Sequence, residues 1–316
     1  MKKKMMILCM ALFAMLLATA GGFAQYPTTC QTNTQVVKGT GATPLRLAVA
    51  ANFYGPMQDL IGRPDPITGL FPSSTFLGQA NVNNVTVTIC SNATGTFAAN
   101  LTGYDMFFAA DDTAEDFNST PSNCNDLTTC AFLYAKGKPV LFGWPTSSGM
   151  PSTITDVSDL IAQLGSNFTG KPSWVVSGPA AGYSIVTPNA NQVAIANPSV
   201  APFGAAAMTI MNAMGTNFPP VVLNTQPNVG AAFSAVGTLG TKSGFVAESQ
   251  ICASGVPLSS VVYVEFPYYF TSQYAIQLTV NGGLLNGYIQ RQMVTPGTVT
   301  TLWDDFLTAH CYVPLN

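Results

Sequence analysis

The stretch Leu45-Arg-Leu-Ala-Val-Ala-Ala-Asn-Phe-Tyr-Gly-Pro-Met-Gln-Asp-Leu-Ile61 predicts a buried strand that passes directly into a helix. Its first half, Leu45 to Ala51, is predominantly apolar, which is typical of a strand covered on both faces of a sheet. Asn52 is interpreted as the helix N-cap, and apolar residues follow it at helical spacing: Met57, Leu60 and Ile61. A helix that begins at the carboxyl end of a strand exposes free N–H groups, which can hold an anion.

The N-terminus has the parts of a secretory signal. Lys2-Lys3-Lys4 is positively charged, Met5 to Ala18 is apolar, and cleavage is predicted after Ala24. The apolar part is shorter than the ~20 residues of a membrane-spanning helix. We therefore expect residues 1–24 to be a signal peptide, residues 25–41 to be a polar N-terminal arm, and the mature chain to be periplasmic or secreted.

Six of the seven cysteines remain once the signal, with Cys9, is removed. An even number in an exported chain predicts three disulfides, and their connectivity stays open. The candidates are Cys30, Cys90, Cys124, Cys130, Cys252 and Cys311. Cys124 and Cys130 are the expected local bridge. No metal site is predicted, because the chain has no C-x-x-C motif and His310 is its single histidine.

Composition and length narrow the classes of function. Without the three signal lysines, eight basic residues stand against fourteen acidic ones, a net charge of about −6 that argues against nucleic acid. A small anion remains compatible with this charge, because backbone N–H groups can bind one. About 290 mature residues exceed the usual ~100–200 of one domain, so two lobes are expected.

The sequence offers few candidate catalytic residues. Asp111 and Asp112 are adjacent at the end of an apolar strand, so their side chains would point to opposite faces, and a helix cap is the better interpretation. A secreted hydrolase would need a nucleophile and a base, yet Ser147, Ser148 and Ser249 lack a G-x-S-x-G setting. The chain is therefore predicted not to be an enzyme.

Seven stretches, taken in order, resemble the periplasmic molybdate-binding proteins, the solute receptors of ABC importers. The stretches are Leu47-Ala-Val-Ala-Ala-Asn-Phe53, Ala93-Thr-Gly-Thr-Phe97, Phe108-Ala-Ala-Asp-Asp-Thr113, Tyr134-Ala-Lys-Gly-Lys138, Ile195-Ala-Asn-Pro-Ser-Val-Ala-Pro-Phe-Gly204, Asn228-Val229 and Gly244-Phe-Val-Ala-Glu-Ser-Gln250. The resemblance implies an α/β, two-lobe type II periplasmic-binding-protein fold with a ligand cleft between the lobes. It implies a first lobe of residues 42–134 and 258–316, and a second lobe of residues 135–257.

The resemblance also implies a ligand shell of hydroxyl and backbone N–H donors. Carried over residue by residue, the shell consists of Asn52, Phe53, Thr94, Gly95, Phe203, Val229 and Ala247. Ala247 stands where some members of the family have a tyrosine, so this chain lacks that hydroxyl. The proline-rich segment 62–84 and the segment 294–316 depart from the family pattern.

The function that the resemblance implies is capture of molybdate or tungstate between two lobes and delivery to an ABC permease. The ligand is then the oxyanion itself, with no cofactor, and the protein is expected to be a monomer without nucleic-acid partners. One alternative is the same fold binding sulfate or phosphate, or sensing without transport. A secreted hydrolase and a surface protein without a ligand are the two remaining hypotheses.

Overall fold

A computed structural model describes Cys30 and residues 35–118, 130–143, 175–177, 192–214, 222–236, 241 and 243–316, with gaps at 66–67, 69, 83, 259–260, 267–268 and 299. The predicted signal peptide and the predicted position of Cys124 fall outside the described residues.

The chain alternates between strands and helices along most of its described length. The strands are β1 (Gln35–Lys38), β2 (Thr43–Ala50), β3 (Val85–Asn92), β4 (Met106–Phe108), β5 (Phe132–Gly137), β6 (Pro139–Gly143), β7 (Val175–Ser177), β8 (Gln192–Ala196), β9 (Val222–Gln226), β10 (Ser243–Ala247), β11 (Cys252–Ala253), β12 (Val256–Pro257), β13 (Val262–Glu265) and β14 (Thr271–Gln277). The helices are α1 (Tyr54–Ile61), α2 (Thr94–Ala98), α3 (Pro202–Met214), α4 (Val229–Ala235), α5 (Gly283–Val294) and α6 (Leu302–Ala309). Short 3-10 helices include Ala51–Phe53, Phe76–Gly78, Ala80–Val82, Asp112–Phe117, Glu248–Ile251 and Val280–Gly282.

The first sheet has the strand order β1-β3-β2-β4-β14-β5. Strand β2 runs parallel to both of its neighbours, β3 and β4, and Leu47 lies opposite Ile89 and Met106. Strand β14 is antiparallel to β4 and β5. Helices α1, α2, α5 and α6 pack on this sheet and form the first lobe with it.

The second sheet has the order β7-β13-β6-β10-β8-β9. Strand β8 is parallel to β9 and β10, whereas β6 is antiparallel to β10 and β13. Helices α3 and α4 pack on this sheet and form the second lobe with it.

The sheets place the two crossovers between the lobes a little later in the chain than the sequence analysis did. The first crossover joins β5 to β6 at residues 137–139, and the second joins β13 to β14 between Glu265 and Thr271. The predicted return to the first lobe at residue 258 was too early, because β13 pairs with β6 and β7 of the second sheet. An apolar alternating strand fits either sheet, and only its pairing partner decides between them.

Strand β2 is buried on both faces, as its composition predicted. Leu47 and Val49 point into a core that includes Met57 of α1, while Ala48 points to the opposite face beside Phe97 of α2. The alternation follows from the two-residue period of a strand, and both sides are covered by helices. Strand β2 ends at Ala50, which packs in a core cluster formed mainly by residues of the second lobe.

Two disulfides lie within the described residues. Cys30 pairs with Cys90 of β3, and Cys252 of β11 pairs with Cys311 after α6. Cys130 is also disulfide-bonded, but its predicted partner lies outside the described residues. No described helix combines the length and the apolar character needed to cross a membrane.

Candidate functional site

A small cavity lies between the two lobes, at the ends of their central strands. Its volume is about 10 Å³, roughly enough for one water molecule. Its walls come from Ala50, Ala51, Asn52, Asn92, Ala93, Thr94, Ala110, Ala201, Pro202, Phe203 and Val229. Larger cavities of about 510 Å³ lie elsewhere on the protein, and one of them is lined by residues of α1, α5 and α6. None of the predicted ligand residues lines either of these cavities.

Helix starts from both lobes converge on this cavity. In the first lobe, the 3-10 helix Ala51–Phe53 follows β2 and α2 follows β3; in the second lobe, α3 and α4 begin beside it. The first N–H groups of a helix have no partner within the helix and are available to bind a ligand. The described residues around the cavity therefore offer uncharged donors at helix starts and no charged side chain.

Thr94 contributes a hydroxyl from the start of α2. Its side chain is 1% exposed, and its Oγ1 accepts a 2.9 Å hydrogen bond from the N–H of Ala110. A hydroxyl has one donor and two acceptor positions, so this bond leaves the hydroxyl proton of Thr94 for another acceptor. The bond also holds the Oγ1 in place, because Ala110 follows the buried strand β4.

The second lobe contributes two main-chain N–H groups. Phe203 is the second residue of α3, after Pro202, whose ring suits the first helical position and offers no N–H. Val229 is the first residue of α4, which is capped by Asn228 through a 2.9 Å bond from the N–H of Ala231 to Oδ1. Neither the N–H of Phe203 nor that of Val229 has a hydrogen-bond partner in the part of the chain that the structure describes.

Asn52 has a different role from the predicted N-cap. No side-chain cap bond is made at this helix start. Instead, Nδ2 of Asn52 donates to Oε1 of Gln273 at 2.9 Å and to the hydroxyl of Tyr312 at 3.0 Å. The N-cap prediction was wrong because these partners lie 221 and 260 residues away in the chain, beyond the reach of a local pattern. The amide oxygen of Asn52 has no hydrogen-bond partner among the described residues.

Three other predicted ligand residues lie beside the cavity without lining it. The ring of Phe53 packs in the first lobe's core, 4.7 Å from the ring of Tyr134. Gly95 donates its N–H to the carbonyl of Val200. Ala247 is fully buried and donates its N–H to Oε1 of Gln250 at 3.1 Å. The role of these residues in binding a ligand stays a prediction.

Asn92 is a lining residue that the sequence analysis did not select. It is the last residue of β3, it is 8% exposed, and its Oδ1 accepts a 2.8 Å bond from the N–H of Ala93. Its position two residues before Thr94, at the same strand-to-helix junction, is the signal that could have identified it.

The described lining of the cavity carries no charge. Each described residue that lines it is apolar, an amide or a hydroxyl. Two tyrosines lie behind Asn52, and burial raises the pKa of Tyr134 and of Tyr312 well above the ordinary value, so both hydroxyls stay protonated. No group of three potential metal ligands occurs among the described residues. The arrangement can therefore bind an anion through neutral donors and helix dipoles, without a cation.

Comparison with known proteins gives matches along most of the chain. A family model described as bacterial extracellular solute-binding protein matches residues 45–283. The molybdate-binding protein ModA of Azotobacter vinelandii is 26% identical over 219 residues, which are 68% of each chain. In a solved structure, the periplasmic molybdate-binding protein of the same organism has a TM-score of 0.53 at 20% identity, covering 85% of this chain and 98% of its own.

A sulfate-binding protein of Mycobacterium tuberculosis has a TM-score of 0.50 at 10% identity, with 87% of this chain and 88% of its own covered. At these low sequence identities, the solved structures show that the fold is shared. The two sheets, the two crossovers and the cleft are those of a two-lobe type II periplasmic binding protein.

Proposed function

Because the chain belongs to the family of bacterial extracellular solute-binding proteins, we propose that it captures a tetrahedral oxyanion, molybdate or tungstate, between its two lobes. It then delivers this oxyanion to the membrane permease of an ABC importer. In this proposal the mature protein is a monomer outside the cytoplasm, released from a signal peptide of residues 1–24, and the oxyanion is its cargo, with no cofactor.

The observation that carries the proposal is the convergence of uncharged donors on one small cavity. The hydroxyl of Thr94 comes from the first lobe, and the N–H groups of Phe203 and Val229 come from the second lobe. A tetrahedral dianion presents four oxygens in four directions, so donors on opposite walls can each bind a different oxygen. Closure of the lobes would then be coupled to ligand binding, because neither wall alone provides the complete set of donors.

The similarity to a molybdate-binding protein supports molybdate as the first choice. Sulfate is the main alternative, because it has the same charge and shape as molybdate and the sulfate-binding neighbour shares the fold. With neutral donors of one kind, cavity size is the property that separates the two anions. Phosphate binding and a sensing role without transport are the remaining candidates within this fold.

A hydrolytic function has little support in the described structure. His310 follows α6, with its ring 4.7 Å from that of Phe306 and its Nε2 3.9 Å from Oδ2 of Asp59. It is not one of the residues that line the cleft. Ser249 donates its hydroxyl to the carbonyl of Asn52 at 3.2 Å, so it links the lobes rather than facing a base.

Calorimetric titration of the oxidised mature chain with molybdate, tungstate, sulfate and phosphate tests the proposal. We expect molybdate and tungstate to bind at least tenfold more tightly than sulfate. The variant Thr94→Val keeps the side-chain shape and removes the hydroxyl, which should weaken binding by about 1.5–3 kcal/mol, the usual value of a hydrogen bond to a charged group.

Thr96→Val is the matched control, because Thr96 lies in the same helix α2 and does not line the cavity. It should leave the affinity unchanged. Absence of binding heat with all four anions would contradict the oxyanion proposal, and preference for sulfate would replace molybdate within it.

A further inference from the structure

Asn52 and Gln273 form a pair of buried side-chain amides beside the cleft. Asn52 is 2% exposed and lines the cavity, while Gln273 of β14 is fully buried behind it. The 2.9 Å bond from Nδ2 to Oε1 joins them. The unpartnered oxygen of Asn52 lies on the other side of the same planar amide. Because a buried acceptor without a partner is unfavourable and rare, this oxygen needs an explanation.

The position of Gln273 is fixed by its neighbours in the first sheet. A Cβ atom added at Gly137 of β5 would lie 2.3 Å from Nε2 of Gln273, so the glycine provides the space for this amide. The hydroxyl of Tyr134 lies 3.0 Å from Oε1 of Gln273 and 3.1 Å from the carbonyl oxygen of Ala109. On its other side, Nε2 of Gln273 lies 3.4 Å from the hydroxyl oxygen of Thr271.

Hydroxyl groups surround the pair, and a hydroxyl can either donate or accept. If both amides turn by half a rotation, Nε2 of Gln273 donates to Oδ1 of Asn52 and to the hydroxyl of Tyr134. The proton of Tyr134 then goes to the carbonyl oxygen of Ala109, which is already within 3.1 Å. The hydroxyl of Thr271, now directed at the carbonyl oxygen of Gly137, can donate to Oε1 instead.

Tyr312 accommodates the same change. Its hydroxyl now receives a bond from Nδ2 of Asn52 and donates to the main-chain carbonyl of Asn52 at 3.0 Å. After the turn its proton can bond to Oδ1. The carbonyl of Asn52 keeps a donor, because the hydroxyl of Ser249 is 3.2 Å away. The turned arrangement thus retains the hydrogen bonds of the pair and places the two Nδ2 protons of Asn52 on the side where its oxygen stood.

We propose that the amides of Asn52 and Gln273 turn together when an oxyanion enters the cleft, so that Asn52 changes from an acceptor to a donor for the ligand. Gln273 is then a positioning residue that acts through Asn52. The inference rests on the proposed function and specifies its ligand class. Because the turned Asn52 donates, the ligand oxygen that faces it carries no proton, as in molybdate, tungstate or sulfate. The amide oxygen of the unturned Asn52 would instead accept from the protonated oxygen of hydrogen phosphate.

The variant Gln273→Glu tests this role, because a carboxylate can only accept and therefore holds Nδ2 of Asn52 away from the ligand. We expect its molybdate affinity to fall by roughly 10- to 100-fold as pH rises and the buried carboxyl ionises, while the wild-type affinity stays constant between pH 5.5 and 8.5. Calorimetric titration across this pH range measures both.

A double-mutant cycle separates this effect from simple charge repulsion. Repulsion between the carboxylate and molybdate would weaken binding equally in the wild-type and Asn52→Ala backgrounds. We expect the loss caused by Gln273→Glu to be at least threefold smaller in the Asn52→Ala background. Equal losses in the two backgrounds would overturn the proposal.

Nuclear magnetic resonance on the wild-type chain gives a readout that does not depend on the folding of Gln273→Glu. The Nδ2 protons of Asn52, assigned by their disappearance in Asn52→Ala, should show cross-peaks to the Tyr312 ring that are lost when molybdate is added. If the cross-peaks persist with molybdate bound, the rotation proposal is overturned. It is also overturned if the wild type binds hydrogen phosphate and none of the other oxyanions. Either result leaves the proposed binding of an oxyanion intact. If no oxyanion binds the wild type, the proposed function fails and the rotation fails with it.

Discussion

The main-chain N–H of Gly95 donates a 2.8 Å hydrogen bond to the carbonyl of Val200, directly from the first lobe to the second. Gly95 is in α2, and Val200 is in the turn before α3. A Cβ atom on Gly95 would lie 3.0 Å from Cα and 3.1 Å from the carbonyl oxygen of Val200. The described conformation is therefore a closed one, in which the absence of a side chain at Gly95 allows the lobes to touch.

Gly95→Ala should weaken closure, because the new methyl group would have to push Val200 aside. We expect the affinity for the oxyanion to fall about tenfold, equivalent to about 1.4 kcal/mol, with little change in the free energy of unfolding. Calorimetry and the radius of gyration from X-ray scattering, with and without ligand, measure the effect. Gly55→Ala is the control, since nothing lies within 4 Å of a Cβ there. Equal affinities in the two variants would show that the lobes tolerate the methyl group.

The two described disulfides should contribute similarly to stability and differently to binding. Their sequence separations are 60 residues for Cys30–Cys90 and 59 for Cys252–Cys311, so chain entropy predicts about 4 kcal/mol for each. Of these two described bridges, Cys252–Cys311 is the one that connects the lobes, because Cys252 follows Ile251 of the second lobe's core. Replacing either pair by alanine should lower the urea midpoint by a similar amount, whereas only Cys252→Ala/Cys311→Ala should reduce oxyanion affinity. A loss of affinity in both double variants would argue against a specific role for the link between lobes.

Asp304 should stabilise the folded chain at neutral pH and lose this effect in acid. Burial opposes its ionisation, but hydrogen bonds from Thr300, Asn316, the N–H of Leu315 and Thr301 outweigh burial and lower its pKa to about 2. Because the folded pKa lies below the unfolded value, the stabilisation is complete above pH ~4 and is lost as pH falls towards 2. It amounts to about 2 kcal/mol.

Urea unfolding of Asp304→Asn measures this contribution. At pH 7 the variant should be less stable than the wild type by about 2 kcal/mol, and the difference should narrow as the pH is lowered towards 2.5. The exposed Asp116 provides the matched control, Asp116→Asn. A difference between wild type and Asp304→Asn that does not change with pH would contradict the assignment.

Sulfate affinity should be independent of pH between 5.5 and 8.5. The ligand keeps its charge in this range, and the described residues of the cavity lining include no ionisable side chain. Burial keeps Tyr134 and Tyr312 protonated by raising the pKa of each. Titration at intervals across the range measures the dependence. A slope approaching tenfold per pH unit would reveal a proton that is exchanged on binding, and with it a titrating group that contacts the ligand.

The sequence by itself determined the local elements of this protein. The apolar run of β2 and the helix starts at Pro202 and Asn228 are encoded within a few residues, by side-chain period and capping chemistry. The order of the family-like stretches led to the two-lobe fold, which the structure has, and four of the seven predicted ligand residues line the cleft: Asn52, Thr94, Phe203 and Val229.

Only the tertiary structure decided the relationships between distant parts of the chain. The sheet that contains β13, the partners of Asn52 and the contact of Gly95 with Val200 each join residues far apart in sequence. A strand pattern does not specify which edge it pairs with, and an asparagine does not specify which way its amide points. These choices follow from hydrogen bonding and close packing in the assembled fold, because each buried polar group takes the partners that packing places within reach.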